Sequence, residues 1–321
     1  MKLDQLDKKI LFHFDFNTRG SLTKLAKKCN VSKQTLSYRI AQLEKNNVIS
    51  GYYTDINVSK LGISIYLVYL KFLYFDKETE EKLVQQLSNK FQVGVLASLE
   101  GKWDFCIGIW AKNPVEYEKI YNSAIEGFEP LIRNQSIMIE TKFNYSKPKV
   151  LLNEENFEKV TMDQPFEEYS LDNINKKILE ELSKNSRESL VEISQKLSLT
   201  PNAIKERIKK LKRDNIILSH RVEINYHKLG FSHYRIFLHL ENFSNHEENK
   251  LTHFLNSLSE ITSVTKTIGY CSLEIRGYFE NVENVYKVMN IIRKEFPKKI
   301  KEHETIIYRK FHSTLNYFPF E

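Results

Sequence analysis

The 321-residue chain, about two ordinary domain-lengths, carries 48 Lys+Arg against 41 Asp+Glu, a formal charge of +7, with 41% hydrophobic and 28% charged side chains. Gly (10) and Pro (7) are sparse, which excludes collagen-like and low-complexity classes, and the apolar share is enough to fill sizeable cores. The scattered Cys29, Cys106 and Cys271 build neither a disulfide framework nor a CxxC metal site and fit a reducing cytosol. The acidic start lacks a signal-peptide stretch, and the apolar run Ile63–Leu70 is too short to span a bilayer.

In chain order, Leu6, Ile10, Leu11 and Phe14 fall at helical spacing and predict a helix over Asp4–Phe16. Ser21 is a natural N-cap for a short second helix that turns Leu22, Leu25 and Ala26 inward. After the turn at Asn30-Val31, Ser32 caps a third helix to about Asn46, with Leu36, Ile40 and Leu43 on its buried face. Val48–Thr54 alternates and turns like a small β wing. Then come a strand over Ile63–Phe72, a helix over Glu78–Phe91, strands over Val93–Leu99 and Phe105–Trp110, a helix over Pro114–Gly127 and a strand over Ile137–Phe143. Three helices and a wing make a winged helix-turn-helix, and the order βαββαβ is the ferredoxin-like split unit.

The whole pattern then repeats. Shifted by about 168 residues, Lys8-Lys9-Ile10-Leu11 meets Lys176-Lys177-Ile178-Leu179, Arg39-Ile40 meets Arg207-Ile208, and Lys60-Leu61-Gly62 meets Lys228-Leu229-Gly230. About 21 of the first 60 aligned positions are identical without a gap. The second copy predicts helices over Leu171–Leu182, Leu190–Leu197 and Thr200–Asp214, a wing over Ile216–Ile224, and a second βαββαβ unit from Phe231 to about Leu315. The expected organisation is a head over 1–60, a sensor over 61–145, a linker over 146–169, a second head over 170–230 and a second sensor over 231–321. The linker's acidic balance, Pro148 and Pro165 suit a surface tether. Each sensor sheet has one face covered by helices, so the other copy's sheet is the natural cover for the remaining face. The expected class is α+β: a tandem repeat of winged helix-turn-helix followed by a ferredoxin-like βαββαβ domain.

Excess basicity sits in the heads, about +6 and +5 by segment, which points to an anionic partner with double-stranded DNA first; two solvated lysine-rich faces are the plain alternative. On the third helix the buried stripe turns Lys33, Gln34, Thr35, Ser37 and Tyr38 outward, where polar groups reach base edges and lysine reaches phosphate. Arg39 flanks the stripe as either a phosphate contact or an internal ion-pair partner, and Tyr38 either touches DNA or packs on the wing. In the second head Asn202 and Lys205 point outward, with Arg207 and Lys209 on the basic flank and Glu206 where the first head has Tyr38. The two heads should therefore read different sequences.

The residues Leu3-Asp4, Asp7, Ile10-Leu11, Arg19, Leu25-Ala26, Val31-Ser32, Arg39-Ile40, Leu43, Val48-Ile49, Gly51-Tyr52 and Leu61-Gly62 resemble the Lrp/AsnC family of prokaryotic transcription regulators. Gly101-Lys102-Trp103-Asp104 is similar to the G-x-x-D turn of that family's effector-sensing domain. The resemblance covers nearly the whole chain, twice, whereas family members usually carry one module and pair between chains. It implies a cytoplasmic DNA-binding regulator that forms an intramolecular pseudo-dimer, with higher homo-oligomers open, and an amino acid-like effector near Ser98, Gly101, Trp103 and Asp104. Asp104 either holds an effector ammonium or caps the turn; in the second copy Ser272 stands in its place and cannot hold a charge.

No P-loop, GxGxxG, HExxH or GxSxG motif occurs, and neither a cofactor nor a metal nor a membrane partner is expected. Sirohaem decarboxylases resemble the same fold and use basic and histidine side chains in the sensor pocket. The turns Ser98–Phe105 and Lys266–Leu273 hold no histidine or arginine, which disfavours that enzyme. His233 and His239 share even spacing on one strand, so they fall on one face, as a half-buried polar pair or, less simply, metal ligands. A binding scaffold with one head inactive for DNA is the third reading.

Overall fold

The computed structural model describes residues 3–88, 92–152, 159–163 and 169–313. The expected helix end at Phe91, Pro165 and the rest of linker residues 153–158 and 164–168, and the chain from 314 onward lie outside them. The first head holds α1 (Gln5–Phe14), α2 (Leu22–Cys29) and α3 (Lys33–Lys45), followed by β1 (Ile49–Ile56). Asp4, Ser21 and Ser32 cap the three helices through backbone N–H groups, and Asn30 ends α2 in the left-handed region. The first sensor holds β2 (Ser64–Phe72), α4 (Lys77–Leu87), β3 (Val93–Glu100), β4 (Phe105–Ala111), α5 (Pro114–Ile125) and β5 (Ile132–Ser146). After β6 (Lys159–Asp163) the order recurs as α6 (Asn173–Lys184), α7 (Leu190–Lys196), α8 (Pro201–Arg213), β7 (Ile217–Ile224), β8 (Ser232–Leu240), α9 (Asn245–Leu255), β9 (Ile261–Gly269), β10 (Leu273–Phe279), α10 (Val282–Glu295) and β11 (Ile300–Ser313).

The two sensor sheets close on each other. The strand order runs β2-β4-β3-β11-β8-β10-β9-β5 and returns to β2, so eight strands form a closed barrel. The long strands β5 and β11 make the closure possible. Each pairs along one edge with the first strand of its own sensor and along the other with the second strand of the opposite sensor. That explains why β5 starts at Ile132 and reaches Ser146, beyond the expected Ile137–Phe143: its extra length is taken up by β2, β9 and β6. At the seam, Gly269 has φ +105, and a Cβ there would lie 2.5 Å from the Ile137 carbonyl oxygen. The outer faces of the barrel pack under helices, Tyr66, Val68, Leu70 and Ile107 beneath α4 and α5, and Ile236, Leu238, Val264 and Ile275 beneath α9 and α10.

Two expectations are corrected. The wing does not fold back on itself: β1 pairs antiparallel with β7, so the two heads share one ribbon, with Tyr53 opposite Arg221 at its centre. The linker start is no surface tether. Ser146, Lys147, Lys149 and Leu151 are buried, and the Lys149 ammonium donates to the Asn256 carbonyl at 2.7 Å. Burial pushes that ammonium down to about 8.

The heads interlock through the ribbon. Val222 and Tyr226 enter the first head's core, and Ile56 packs against the second head's. Thr18 and Ser186 hydroxyls meet at 2.7 Å, and Arg19 donates to the carbonyls of Ser186 and Glu188. His220 is fully buried, its Nδ1 2.9 Å from the Thr54 hydroxyl. Burial, then Lys212 and Arg19, push it down to about 2, so it is neutral when folded. A depressed histidine stabilises the fold above its unfolded value near 6.5 and loses that contribution as pH falls below it. Stability in urea is therefore expected to fall between pH 7.5 and 5.5, with His220 contributing up to about 1.4 kcal/mol per pH unit. The variant His220→Asn should have the shallower slope, read from unfolding midpoints at the two pH values.

Candidate DNA interface and sensor cavities

In the first head the buried face of α3 is Leu36, Ile40 and Leu43, which leaves Lys33, Gln34, Thr35, Ser37 and Tyr38 exposed. The Tyr38 ring is 62% exposed, so it stands in solvent and is not packed on the ribbon. In the second head Ile204, Ile208 and Leu211 are buried, and Asn202, Lys205 and Lys209 are exposed beside Pro201 in the first turn. Lys209 pairs with Glu206 at 2.7 Å. Both helices thus display a polar, cation-bearing first half.

Arg39 and Arg207 are placed differently from the outward set. Arg39 bonds Asp4 at 2.7 Å and Asp7 at 3.3 Å, and Arg207 bonds Asp172 at 2.6 Å and Asn175 at 3.1 Å. Each guanidinium fastens the first helix of its head to the third, the internal ion pair that was one alternative for Arg39. The bonds to Asp4 and Asp7 hold the Arg39 guanidinium more firmly charged.

A buried pair of another kind fixes the ribbon. Arg221 is 3% exposed and bonds Asp15 twice, at 2.6 and 2.7 Å, and Asp55 at 3.2 Å. Its guanidinium lies between Phe16 and Tyr145, at 4.2 and 3.9 Å from their ring centroids.

At the sensor turn, Asp104 accepts from the Phe72 N–H at 2.9 Å and pairs with Lys71 at 2.6 Å. Its second-copy counterpart Ser272 accepts from the Leu240 N–H at 3.1 Å, so the strand-tying bond is kept where the charge is lost. Gly101 turns with φ +122, and Trp103 points inward, its indole N–H donating to the Tyr270 hydroxyl at 3.1 Å. Ser98 is buried and bonds Glu80 and His312. Asp104, Glu80, Arg309 and His312 line an open cleft of about 700 Å³ at the β3–β11 seam. The predicted effector residues thus divide: Asp104 on the cleft, Ser98 behind its wall, Gly101 at the turn, Trp103 in the barrel.

A second cavity, about 310 Å³, lies between the ribbon and the mouth of the barrel. Its wall includes Glu140, His233, Arg235 and Arg276, which the sequence reading did not single out as a group. Arg235 bonds Glu274 at 2.5 Å; Arg276 bonds Glu274 at 2.8 and 2.9 Å and also Glu140. Burial raises Glu140, opposed by Arg276. The turns are bare of histidine and arginine, yet the cavity is not, so their absence from the turns is no argument against catalysis. The available signal was period two: His233 and Arg235, and again Glu274 and Arg276, repeat on one strand face. His233 and His239 do share the inward face, His233 against Tyr278 and His239 against Tyr270. Among the described residues no group of three or more His, Cys, Asp or Glu is placed to hold a metal ion.

Known proteins fit this architecture. The family model for an AsnC-type helix-turn-helix domain matches residues 171–212, and one for a winged helix-turn-helix DNA-binding domain matches residues 3–50. An uncharacterised HTH-type transcriptional regulator of Pyrococcus furiosus is 35% identical over 132 residues, 41% of this chain and 85% of the relative. Regulatory protein AsnC of Escherichia coli is 27% identical over 141 residues, 44% of this chain and 91% of its own. Among solved structures, the siroheme decarboxylase NirDL superposes with TM-score 0.63 over 98% of this chain and 94% of its own, at 10% identity, a likeness of fold. The helix-turn-helix heads and the regulator relatives thus mark the class as transcription regulators of AsnC type. The chain belongs to the Lrp/AsnC family of such regulators.

The two kinds of ion pair separate in stability. Asp15→Ala strands the buried Arg221 charge and is expected to cost about 3–5 kcal/mol, whereas Arg39→Ala at the half-exposed pair costs about 1 kcal/mol or less. Urea unfolding of both variants beside the parent measures the difference.

Proposed function

We propose that the protein is a cytoplasmic, sequence-specific transcription regulator whose two unlike heads read one asymmetric operator per chain, with no catalytic activity. The observation that carries this reading is the pair of third helices, each with a free first half bearing different side chains: Gln34, Ser37 and Tyr38 in one, Asn202, Lys205 and Glu206 in the other. Lys33 and Lys209 neutralise phosphates, and the amide and hydroxyl groups, with the Lys205 ammonium, select bases. The shared ribbon holds the heads at one spacing, so a single chain acts as its own pseudo-dimer, and homo-oligomers build on it. Pulling bound duplexes from a random pool tests the reading. The expected product is a non-palindromic site whose affinity falls by orders of magnitude between about 50 and 200 mM salt. Gln34→Ala with Ser37→Ala should relax one half-site by about 1–3 kcal/mol per lost base contact, and Asn202→Ala with Lys205→Ala the other. Absence of duplex binding at low salt overturns it.

An amino acid-like effector is proposed at the seam cleft, where its ammonium group would take the place of Lys71 at Asp104 and its carboxylate that of Glu80 at Arg309. Operator affinity should change with one amino acid, and Asp104→Asn should abolish that response while duplex binding persists.

The decarboxylase reading retains one observation in its favour: histidine and arginine do line the barrel cavity. Conversion of sirohaem to a decarboxylated product by the purified chain would establish it and remove the claim of no catalysis.

A further inference from the structure

The barrel interior is chemically one-sided. At inward positions where the first copy has Ile65, Leu67, Val95, Cys106 and Gly108, the second copy has His233, Arg235, Ser263, Glu274 and Arg276. The charges cancel: Arg235 and Arg276 face Glu274 and Glu140. What does not cancel is hydrogen bonding. Among the described residues, Trp110 Nε1, Arg235 Nε and His233 Nδ1 are buried without a partner, in side chains 3%, 3% and 7% exposed. All three residues line the cavity beneath the ribbon.

Two of those atoms can only donate, and the third, on a histidine held neutral, can donate through one tautomer. A buried donor without a partner costs about 1–3 kcal/mol, so three around one void are a standing demand for an acceptor. The rest of the wall is mixed: Ile56, Val58, Ile65 and Val95 give it an apolar stretch, Asp15 and Asp55 are held by Arg221, Glu140 is held by Arg276, and Glu223 adds a carboxylate on the ribbon side. At about 310 Å³ the void sits at the small end of ligand pockets.

We propose that this cavity binds a small carboxylic acid with an apolar body and no ammonium group, its carboxylate accepting from Trp110, Arg235 and His233. The apolar body lies along Ile65 and Val95. An α-ammonium next to that carboxylate would face the same donors, while the wall's carboxylates Asp15, Asp55 and Glu140 are held by Arg221 and Arg276, which is why a free acid fits better than its α-amino counterpart. Glu140 faces Arg276 and Glu274 on β10 and is already engaged there. The ligand's other neighbour is the ribbon that carries both heads, through Ile56 of β1 and Val222 of β7. This site is separate from the seam cleft and from the DNA-binding helices, and its test needs no DNA.

The test is calorimetric titration of the full chain with 3-phenylpropanoate, phenylalanine and 3-phenylpropan-1-ol in parallel. The acid is expected to bind with a Kd below about 1 mM, and the amino acid and the alcohol at least about tenfold more weakly. Trp110→Phe keeps an aromatic ring and removes one donor, and should weaken the acid about tenfold while the chain still unfolds in one cooperative transition in the absence of ligand. Ile56→Phe, which fills the void from the ribbon side, should abolish binding. No heat from the acid, equal binding of all three compounds, or parent-like binding by Trp110→Phe and Ile56→Phe overturns the proposal. So does a crystal structure grown with the acid in which only water bridges the three donors.

Discussion

Closure of the barrel is the constraint on which the molecule rests. A four-stranded sensor sheet covered by two helices has one bare apolar face and two open edges, and neither is tolerable in water. Joining β5 to β9 and β3 to β11 removes both problems at once. The inner faces become a common core, with Tyr69, Phe237, Trp103 and Tyr308 at its centre. The heads then follow. Each strand that leaves a head leads through a short turn into β2 or β8, so two sensors held face to face bring β1 and β7 side by side, and the ribbon forms. The relation of head to head is a result of how two sheets close.

The closed interior also explains how four charges survive there. An isolated guanidinium or carboxylate in such a place is prohibitively costly, but Arg235, Glu274, Arg276 and Glu140 form a chain in which each carboxylate meets at least one guanidinium. Tyr69 and Tyr308 hydroxyls, 3.3 Å apart, join its end, and Arg235 stacks 3.9 Å from the Tyr308 ring centroid. Such a network favours one register of β8 against β10, since a slip of one residue would turn Arg235 and Arg276 into the apolar layer beneath α9 and α10.

Much of this was legible in the residues. Helical spacing, Ser21, Ser32 and Pro201 as boundary residues, and period-two strands located both heads' helices and the first sensor's elements within a few positions, β5 apart. The exposed set on α3 followed from its buried stripe. The ribbon was not legible, because Val48–Thr54 has the local pattern of a hairpin strand, and the identity of the partner strand is a tertiary matter settled by barrel closure. The length of β5 was hidden for the same reason: Arg133, Asn134 and Gln135 read as loop, yet they lie along β2 at the barrel edge. Asp104 was visible as a charged turn residue, but its bond to Phe72 depends on a strand remote in sequence. The cavity's polar wall was spelled out in the second copy's strands, and it takes on meaning when those strands are set against their first-copy counterparts.

Tyr53 and Arg221 face each other at the middle of the ribbon, at equivalent positions of the two copies. In an assembly of identical chains the same spot would hold two tyrosines or two arginines, and two guanidinium groups in contact on a symmetry axis would repel. Joining the copies in one gene lifts that prohibition. Each half can mutate alone, so a cation can be installed on one side of the axis with Asp15 as its counterion, while the opposite side keeps Ser183. The axis is thereby one of the places where the two halves differ, and separate halves would pair best as a heterodimer, which sets Arg221 against Tyr53 and not against a second arginine.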